Sequence, residues 1–505
     1  MQNFQIDLFT ALPELVVLGM AMLILLTGLF TKNNIAVYAL AQLTLLAAAF
    51  FTIAAHTPAV GYAFSGMFVD DTLADVLKLM IYLGTAMMLV YTRQYMRLRG
   101  MFRGEYYALV LFAVLGMMIM VSGQSMLTIY MGLELLSLCL YSLVALDRDN
   151  AKSSEAAMKY FVLGALASGM MLYGMSMIYG MTGSLNISEI AGSLQGALSD
   201  MQGLKNPVLI LGLVFIVAGL AFKFGAVPFQ MWVPDVYQGA PTSITMLIGS
   251  VPKFAAFAIA IRLLAQGLQP LAGEWQNMLL IMAVLSIAIG NITAISQSNL
   301  KRMLAYSTIS HIGFLLFGLM SGNLNGYASS LFYITAYVLM TLAGFGMILL
   351  LSRKGFEADT LDDLKGLNQR SKLAAFMMLI TMFSMAGIPP TIGFWAKFTV
   401  LQAAWQAGFG WAVVFAVLMA AVGAFYYLRI VKLMYFDAPK DTAVIGALFK
   451  APFDAPFDSR YNAPFDAPMD MQLVLSINAL ALMALGLFPQ TLMSVCGAAI
   501  VRSLQ

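Results

Sequence analysis

The sequence predicts an all-α protein that crosses a membrane about fourteen times. Three observations lead there. Of the 505 residues, 61% are hydrophobic and 10% charged, against about 25% charged in a soluble domain. Apolar stretches of roughly 20 residues recur along nearly the whole chain, each long enough to cross a ~30 Å hydrocarbon core as a helix. The ~10-residue alternating segments that would mark a membrane β-barrel do not occur.

Spans are expected near 13–30, 35–55, 73–92, 106–122, 125–145, 156–180, 208–237, 241–266, 277–296, 301–320, 328–351, 372–408, 411–436 and 473–497. The first has no Lys or Arg before it and no small-residue cleavage site after it, so it reads as a retained helix. Basic residues gather in alternate loops: Lys32; Arg93, Arg97, Arg99 and Arg103; Arg148 and Lys152; Lys301 and Arg302; Arg353, Lys354, Lys365, Arg370 and Lys372. The loop before the last span adds Arg429, Lys432, Lys440, Lys450 and Arg460. The other loops hold Lys205, Arg262 and Arg502. This asymmetry is the positive-inside pattern, and it places both termini outside, in the periplasm if the membrane is a bacterial inner membrane.

The chain divides into an N-terminal three-helix region (1–105), two five-helix units (106–266 and 277–436), a loop (437–472) and a last helix (473–505). Within that loop, "APFDAPFDSRYNAPFDAPMD" (451–470) repeats A-P-F-D and reads as a solvated low-complexity segment; docking to a neighbouring subunit is the other reading.

Several function classes are excluded. Cys139 and Cys496 are the only cysteines, whereas an iron–sulfur cluster takes about four thiolates. With His56 and His311 the only histidines, a bis-His haem is not supported. No Gly-rich dinucleotide loop or Walker loop occurs, and a net charge of +3 is too small to imply a nucleic-acid partner. Any energy this chain uses must come from an ion gradient or from another subunit.

The charges inside the spans are Lys78, Glu134, Lys159, Lys223, Lys253 and Lys397. Each costs roughly 2.5–3.5 kcal/mol at the bilayer centre even on insertion scales. Glu134, Lys223, Lys253 and Lys397 lie deepest. An ion pair that fixes helix packing is the structural reading, but several lysines outnumber one carboxylate and cannot all be paired. Desolvation makes a buried lysine easier to deprotonate and a nearby carboxylate opposes this, so a row of lysines joined by water suits proton transfer. Lys159, one turn into its span, could snorkel to the interface. Lys78 could balance Asp71 or Asp75. His311, deep in "AYSTISHIGFLLFG", is either a hydrogen-bonded core residue or a relay.

Two spans are broken. The seventh, "VAGLAFKFGAVPFQMWVPD", and the twelfth, "FSMAGIPPTIGFWAKF", each break at Gly-x-x-Pro, at Gly225–Pro228 and Gly387–Pro390. Proline frees backbone carbonyls, tolerated at membrane depth only where they are buried or face a hydrated cavity. Broken helices at corresponding places in two halves point to inverted repeats around a transport site. "GQSM" (123–126) and "SQSN" (296–299) set the register, so spans 4–8 match spans 9–13; five being odd, the units are inverted.

Taken together, "KFGAVPFQMWVPDVYQGAPT" (223–242), "SNLKRMLAYSTISHIG" (298–313), "GLELLSL" (132–138) and "AGIPPTIGFWAKF" (386–398) resemble the antiporter-like membrane subunits of respiratory complex I, the proton-translocating NADH–quinone oxidoreductase, over almost the whole chain. The resemblance implies a proton path through Glu134 on the fifth span, Lys159 on the sixth, Lys223 on the seventh, Lys253 on the eighth and Lys397 on the twelfth, with Glu134 paired to Lys223. Among sister subunits, L carries a lateral helix and extra spans beyond the common core, and M has a glutamate where Lys397 stands; this chain is expected to match neither. The resemblance further implies that NADH, FMN, iron–sulfur clusters and quinone belong to partner subunits, that the partners are other membrane subunits of the complex, and that this chain binds no cofactor or metal. A cation/proton antiporter subunit of the same fold and a purely structural scaffold are the competing readings.

Overall fold

The computed structural model describes residues 7–30, 34–56, 60–196, 206–439 and 468–504. Lys32, Lys205, Lys440, Lys450, Arg460 and nearly all of the A-P-F-D segment lie outside these residues. Among the described residues, thirteen helices are long and apolar enough to cross a membrane. The twelfth span adds a fourteenth crossing as two halves, Lys372–Ala386 and Ile392–Gln406, each of 15 residues.

The spans begin where capping chemistry allows. Asp71, Asn150, Asn206, Asn299, Asn323 and Ser371 each accept a backbone N–H of the first helical turn, satisfying donors that a helix N-terminus otherwise leaves open. The two most extensive helix pairs are the fourth with the fifth (Gly104–Ser122, Met126–Val144) and the ninth with the tenth (Ala272–Ile295, Leu300–Met320). They occupy equivalent places in the two expected repeats. The eighth, tenth and eleventh spans are almost wholly buried and form the centre, while the first, second and thirteenth turn mostly apolar surface outward.

One end of the helix array carries the loops rich in basic residues and is called the basic face. The other end carries a two-stranded hairpin, Gly61–Ala63 paired antiparallel with Phe68–Asp70, and is called the hairpin face. A short helix, Ile187–Gly196, lies on the hairpin face between the sixth and seventh spans.

Three expectations need correction. The eighth span is not continuous: Thr242–Gly249 and Pro252–Ala260 are separated at Ser250–Val251, and residues 261–267 form a π-helical turn. Pro252 supplies no backbone N–H, which explains the first discontinuity. The last span does not run through 473–497. Met469–Leu487 ends before Pro489, and a separate helix, Pro489–Leu504, packs against the eleventh and third spans. Lys78 does not balance Asp71: its ion pair, at 2.7 Å, is with Glu14 of the first span, both side chains buried, while Asp75 is an electrostatic neighbour without direct contact. Asp71 is instead held by Arg262.

Candidate functional site

Each broken span ends its first half in the same way. Pro207–Phe224 closes at Gly225 (φ 80°) and Lys372–Ala386 closes at Gly387 (φ 84°), both left-handed, a conformation that glycine adopts without steric cost. Both turns then run through a cis X–Pro bond, Val227–Pro228 and Pro389–Pro390. The last carbonyls of a helix carry the negative end of its dipole, and in each break a lysine ammonium sits on them. Lys253 Nζ donates to Phe224 O at 2.9 Å and to Lys223 O at 3.3 Å. Lys397 Nζ donates to Met385 O and Ala386 O, both at 2.9 Å. Neither lysine forms an ion pair among the described residues. The two broken helices thus present equivalent cation seats, one filled from the eighth span and one from the twelfth span itself.

Lys223 stands one residue before the end of its half-helix, and its ammonium donates to Ser137 Oγ at 2.6 Å. Ser137 in turn donates to Leu133 O at 2.6 Å. Glu134 and Lys223 make no ion pair within 4 Å: the serine one turn beyond Glu134 takes the ammonium, and Glu134 Oε1 is buried without a hydrogen-bond partner. Glu134 and Lys223 are electrostatic neighbours. A cavity of about 30 Å³, lined by Ser137, Tyr160, Lys223, Trp232 and Lys253, joins the two lysines; such a volume holds one or two waters.

Lys159 stands apart from this row. Half exposed on the sixth span, it pairs with Glu155 at 2.8 Å and Asp235 at 2.9 Å, and Asp235 also binds Arg302 at 2.8 Å. The second half of the seventh span, Trp232–Gly239, is thereby tied to the sixth and tenth spans near the basic face.

His311 lies between the two cation seats. Its Nδ1 is 2.7 Å from the Tyr333 hydroxyl and its Nε2 is 3.1 Å from that of Tyr427, which also contacts Ser307 at 2.5 Å. One turn earlier, Thr308 accepts from Tyr337, whose hydroxyl also reaches Gly249 O beside the break in the eighth span. One turn later, the Phe314 ring lies 5.2 Å from Lys397 Nζ. These contacts make a run of hydroxyls and imidazole from the Lys253 side towards Lys397. Among the described residues there is no cluster of His, Cys, Asp and Glu suited to a metal.

Ser137, Tyr333, Tyr427 and Asp235 were not singled out by sequence reasoning. Ser137 had a visible signal, a hydroxyl one turn from the only carboxylate of its span. The tyrosines had none, since they read as ordinary buried aromatics.

The family described as NADH:quinone oxidoreductase/Mrp antiporter, transmembrane, matches residues 123–423. NADH-quinone oxidoreductase subunit N of Methylovorus glucosotrophus is 64% identical over 508 residues, covering both chains fully. The subunit N of Thiobacillus denitrificans is 57% identical and covers 98% of this chain and 97% of its own. Among solved structures, a chain of respiratory complex I from Thermus thermophilus with bound aureothin matches with a TM-score of 0.77 at 30% identity, covering 96% of this chain and all of that one. A chain of an archaeal membrane-bound sulfane sulfur reductase shares the fold with a TM-score of 0.83 at 23% identity. The chain belongs to the antiporter-like membrane subunits of NADH-quinone oxidoreductase, in the group of subunit N.

Proposed function

We propose that the row Glu134, Lys223, Lys253 and Lys397, with His311 as a relay, carries protons outward while partner subunits of complex I oxidise NADH with FMN and iron–sulfur clusters and reduce quinone. The observation that supports this best is the pair of lysines seated on the ends of broken helices with backbone carbonyls as their hydrogen-bond acceptors. A lysine held this way has the carbonyl dipoles of a helix end in place of a counter-ion. A charge change arriving from a neighbouring subunit acts first on Glu134. It alters the hold of Ser137 and Glu134 on Lys223, the proton balance at Lys253 follows through the shared cavity, and Lys397 exchanges a proton with the outside. Lys159 serves this row from the basic face, where Asp235 and Glu155 hold it. In this reading the basic face is cytoplasmic, both termini are periplasmic, and the partners are the other membrane subunits.

The test uses inside-out vesicles from cells carrying Lys223→Ala at the native locus, with NADH-driven quinone reduction and proton uptake recorded together. Both are expected to fall about tenfold or more while the complex stays assembled. If both rates match wild type, the row does not conduct, and sodium–proton exchange becomes the activity to assay.

The turn at Gly387 gives a second expectation. An added Cβ would lie 2.9 Å from Lys397 Cδ and would sit at positive φ, a conformation costing about 1–2 kcal/mol for other residues. Gly387→Ala is therefore expected to push Lys397 off its carbonyls and lower proton uptake several-fold in the same vesicles. The readout against it is unchanged uptake in an assembled complex.

A further inference from the structure

The N-terminal region holds a second chain of titratable groups that the central row does not use. At its inner end Lys78, 1% exposed, pairs with Glu14 at 2.7 Å, and the Phe68 ring of the hairpin lies 5.1 Å from the ammonium. One turn nearer the hairpin face on the same helix is Asp75, a distance at which helical side chains are neighbours. Asp75 Oδ2 is 2.6 Å from His56 Nδ1, and the His56 side chain is 37% exposed. Asp70, on the second hairpin strand, hydrogen-bonds to Asp75.

The depth of this chain matters. Gly84 of the third span packs against Val251 at the break in the eighth. The two spans run antiparallel, since Tyr95 reaches Thr242 at one end and Asp71 reaches Arg262 at the other. At 1.5 Å per residue, Lys78 stands about 9 Å from Gly84 towards the hairpin face, and Lys253 about 3 Å from Val251 in the same direction. Lys78 therefore lies deeper than a surface charge yet about 6 Å beyond Lys253 on the way out.

A buried ion pair is a poor way to gain stability, because apolar side chains of similar volume do as well or better. Here a buried ammonium–carboxylate pair lies one helical turn from a carboxylate that contacts both Asp70 and a partly exposed imidazole, and the ammonium acts on that carboxylate electrostatically. An ammonium occupies the centre of the acidic groups, which leaves no seat for a metal cation and fits a proton as the ligand. We infer that Glu14, Lys78, Asp75, Asp70 and His56 form a second proton-exchange site, which passes protons between the membrane interior and the hairpin face through the N-terminal three helices. In the outward step Lys78 gives a proton to the Asp75 carboxylate, leaving a neutral amine beside Glu14. Asp75 passes the proton to His56, and the imidazolium releases it to water.

The groups facing this site are Glu14 from the first span, His56 and Thr52 from the second, Asp70 from the hairpin, and Asp75, Lys78 and Tyr82 from the third. Asp71, beside Asp70, is occupied by Arg262 and does not join. Burial, with Asp75 next, pushes the Asp70 carboxyl up to about 6, so the outer end changes protonation within the working range of pH.

The experiment uses the assembled complex in inside-out vesicles, with His56→Gln, Asp70→Asn and the double variant Glu14→Gln with Lys78→Met, and with Lys223→Ala as the control. Proton uptake and NADH oxidation are recorded from pH 5.5 to 8.5. His56→Gln is partly exposed and leaves folding intact. It is expected to slow proton uptake at least threefold, and Asp70→Asn to remove the inflection of the pH profile near 6. The double variant, where it assembles, reproduces the loss. Wild-type rates and pH profiles in both His56→Gln and Asp70→Asn overturn the inference, whether or not the double variant assembles. If those profiles are unchanged while Lys223→Ala is inactive, only the N-terminal site falls; if Lys223→Ala is also silent, the central row falls as well.

Discussion

Lys253→Met is expected to abolish proton translocation, by about a hundredfold or more, in a complex that still assembles. The reasoning starts from what Lys253 touches. Its side chain is 1% exposed, its ammonium reaches two backbone carbonyls, and the Trp232 ring lies 5.8 Å away. Methionine matches the length of the aliphatic stem and fills the same space. The lost hydrogen bonds to two carbonyls cost about 1–3 kcal/mol each, and this is offset by no longer burying a charge without a counter-ion. Stability therefore changes little. The function is different: under the proposed proton row the variant lacks a group that binds and releases a proton, and such groups contribute typically 10²–10⁴-fold. Lys253→Arg sharpens the test. Guanidinium keeps its proton under all working conditions, so the arginine variant retains charge without titration and is expected to be as inactive as methionine. Proton uptake and NADH oxidation in inside-out vesicles measure both variants. Recovery of wild-type uptake by arginine would show that charge alone matters at this position and that the lysine does not transfer a proton.

Much of this arrangement was legible in the sequence because membranes impose few and strong constraints. The span count followed from the lengths of apolar runs, and the breaks in the seventh and twelfth spans from Gly-x-x-Pro. Four of the charges stood out because burial at membrane depth is costly. What failed did so for local reasons. Glu14 escaped notice because it stands in the first turn of its helix, where a carboxylate reads as a solvated end; its burial and its pairing with Lys78 of the third span appear only in the folded chain. The insertion of Ser137 at the Lys223 ammonium was not anticipated because, although its hydroxyl stands one turn from Glu134, its capture of an ammonium from another span is a tertiary fact. The last span was drawn too long because residues 473–497 are nearly continuous in hydrophobicity, and Pro489 was outweighed by its neighbours. Pro252 was likewise read through. Single prolines stop helices more dependably than hydropathy windows suggest.

Arg262→Met provides the opposite case, a buried cation whose loss is expected to remove the protein from the membrane complex. Arg262 grips Asp71 with two parallel bonds, Nη1 to Oδ2 at 2.7 Å and Nη2 to Oδ1 at 2.8 Å, with both side chains at 1–2% exposure. The guanidinium also donates to Val121 O at the end of the fourth span. Asp71 caps the third span through Ala74 N, and Ser503 of the C-terminal helix joins by accepting from Leu73 N and Gln266 Nε2. Four elements thus meet at one ion pair on the hairpin face. Removing the arginine strands a buried carboxylate, and breaking such a pair costs about 3–5 kcal/mol, a large part of the 5–15 kcal/mol that typically separates folded from unfolded. Assembled complex is expected to drop severely on native gels, with a lower melting temperature for what remains. Adding Asp71→Asn to Arg262→Met removes the stranded charge while keeping a capping oxygen, and should restore most of the assembly. The two cations differ in one respect that decides both outcomes: Arg262 neutralises a carboxylate that needs it, and Lys253 neutralises none. A buried cation whose removal spares assembly but stops proton uptake would thereby be marked as a proton carrier, and one whose removal costs assembly as a structural counter-ion.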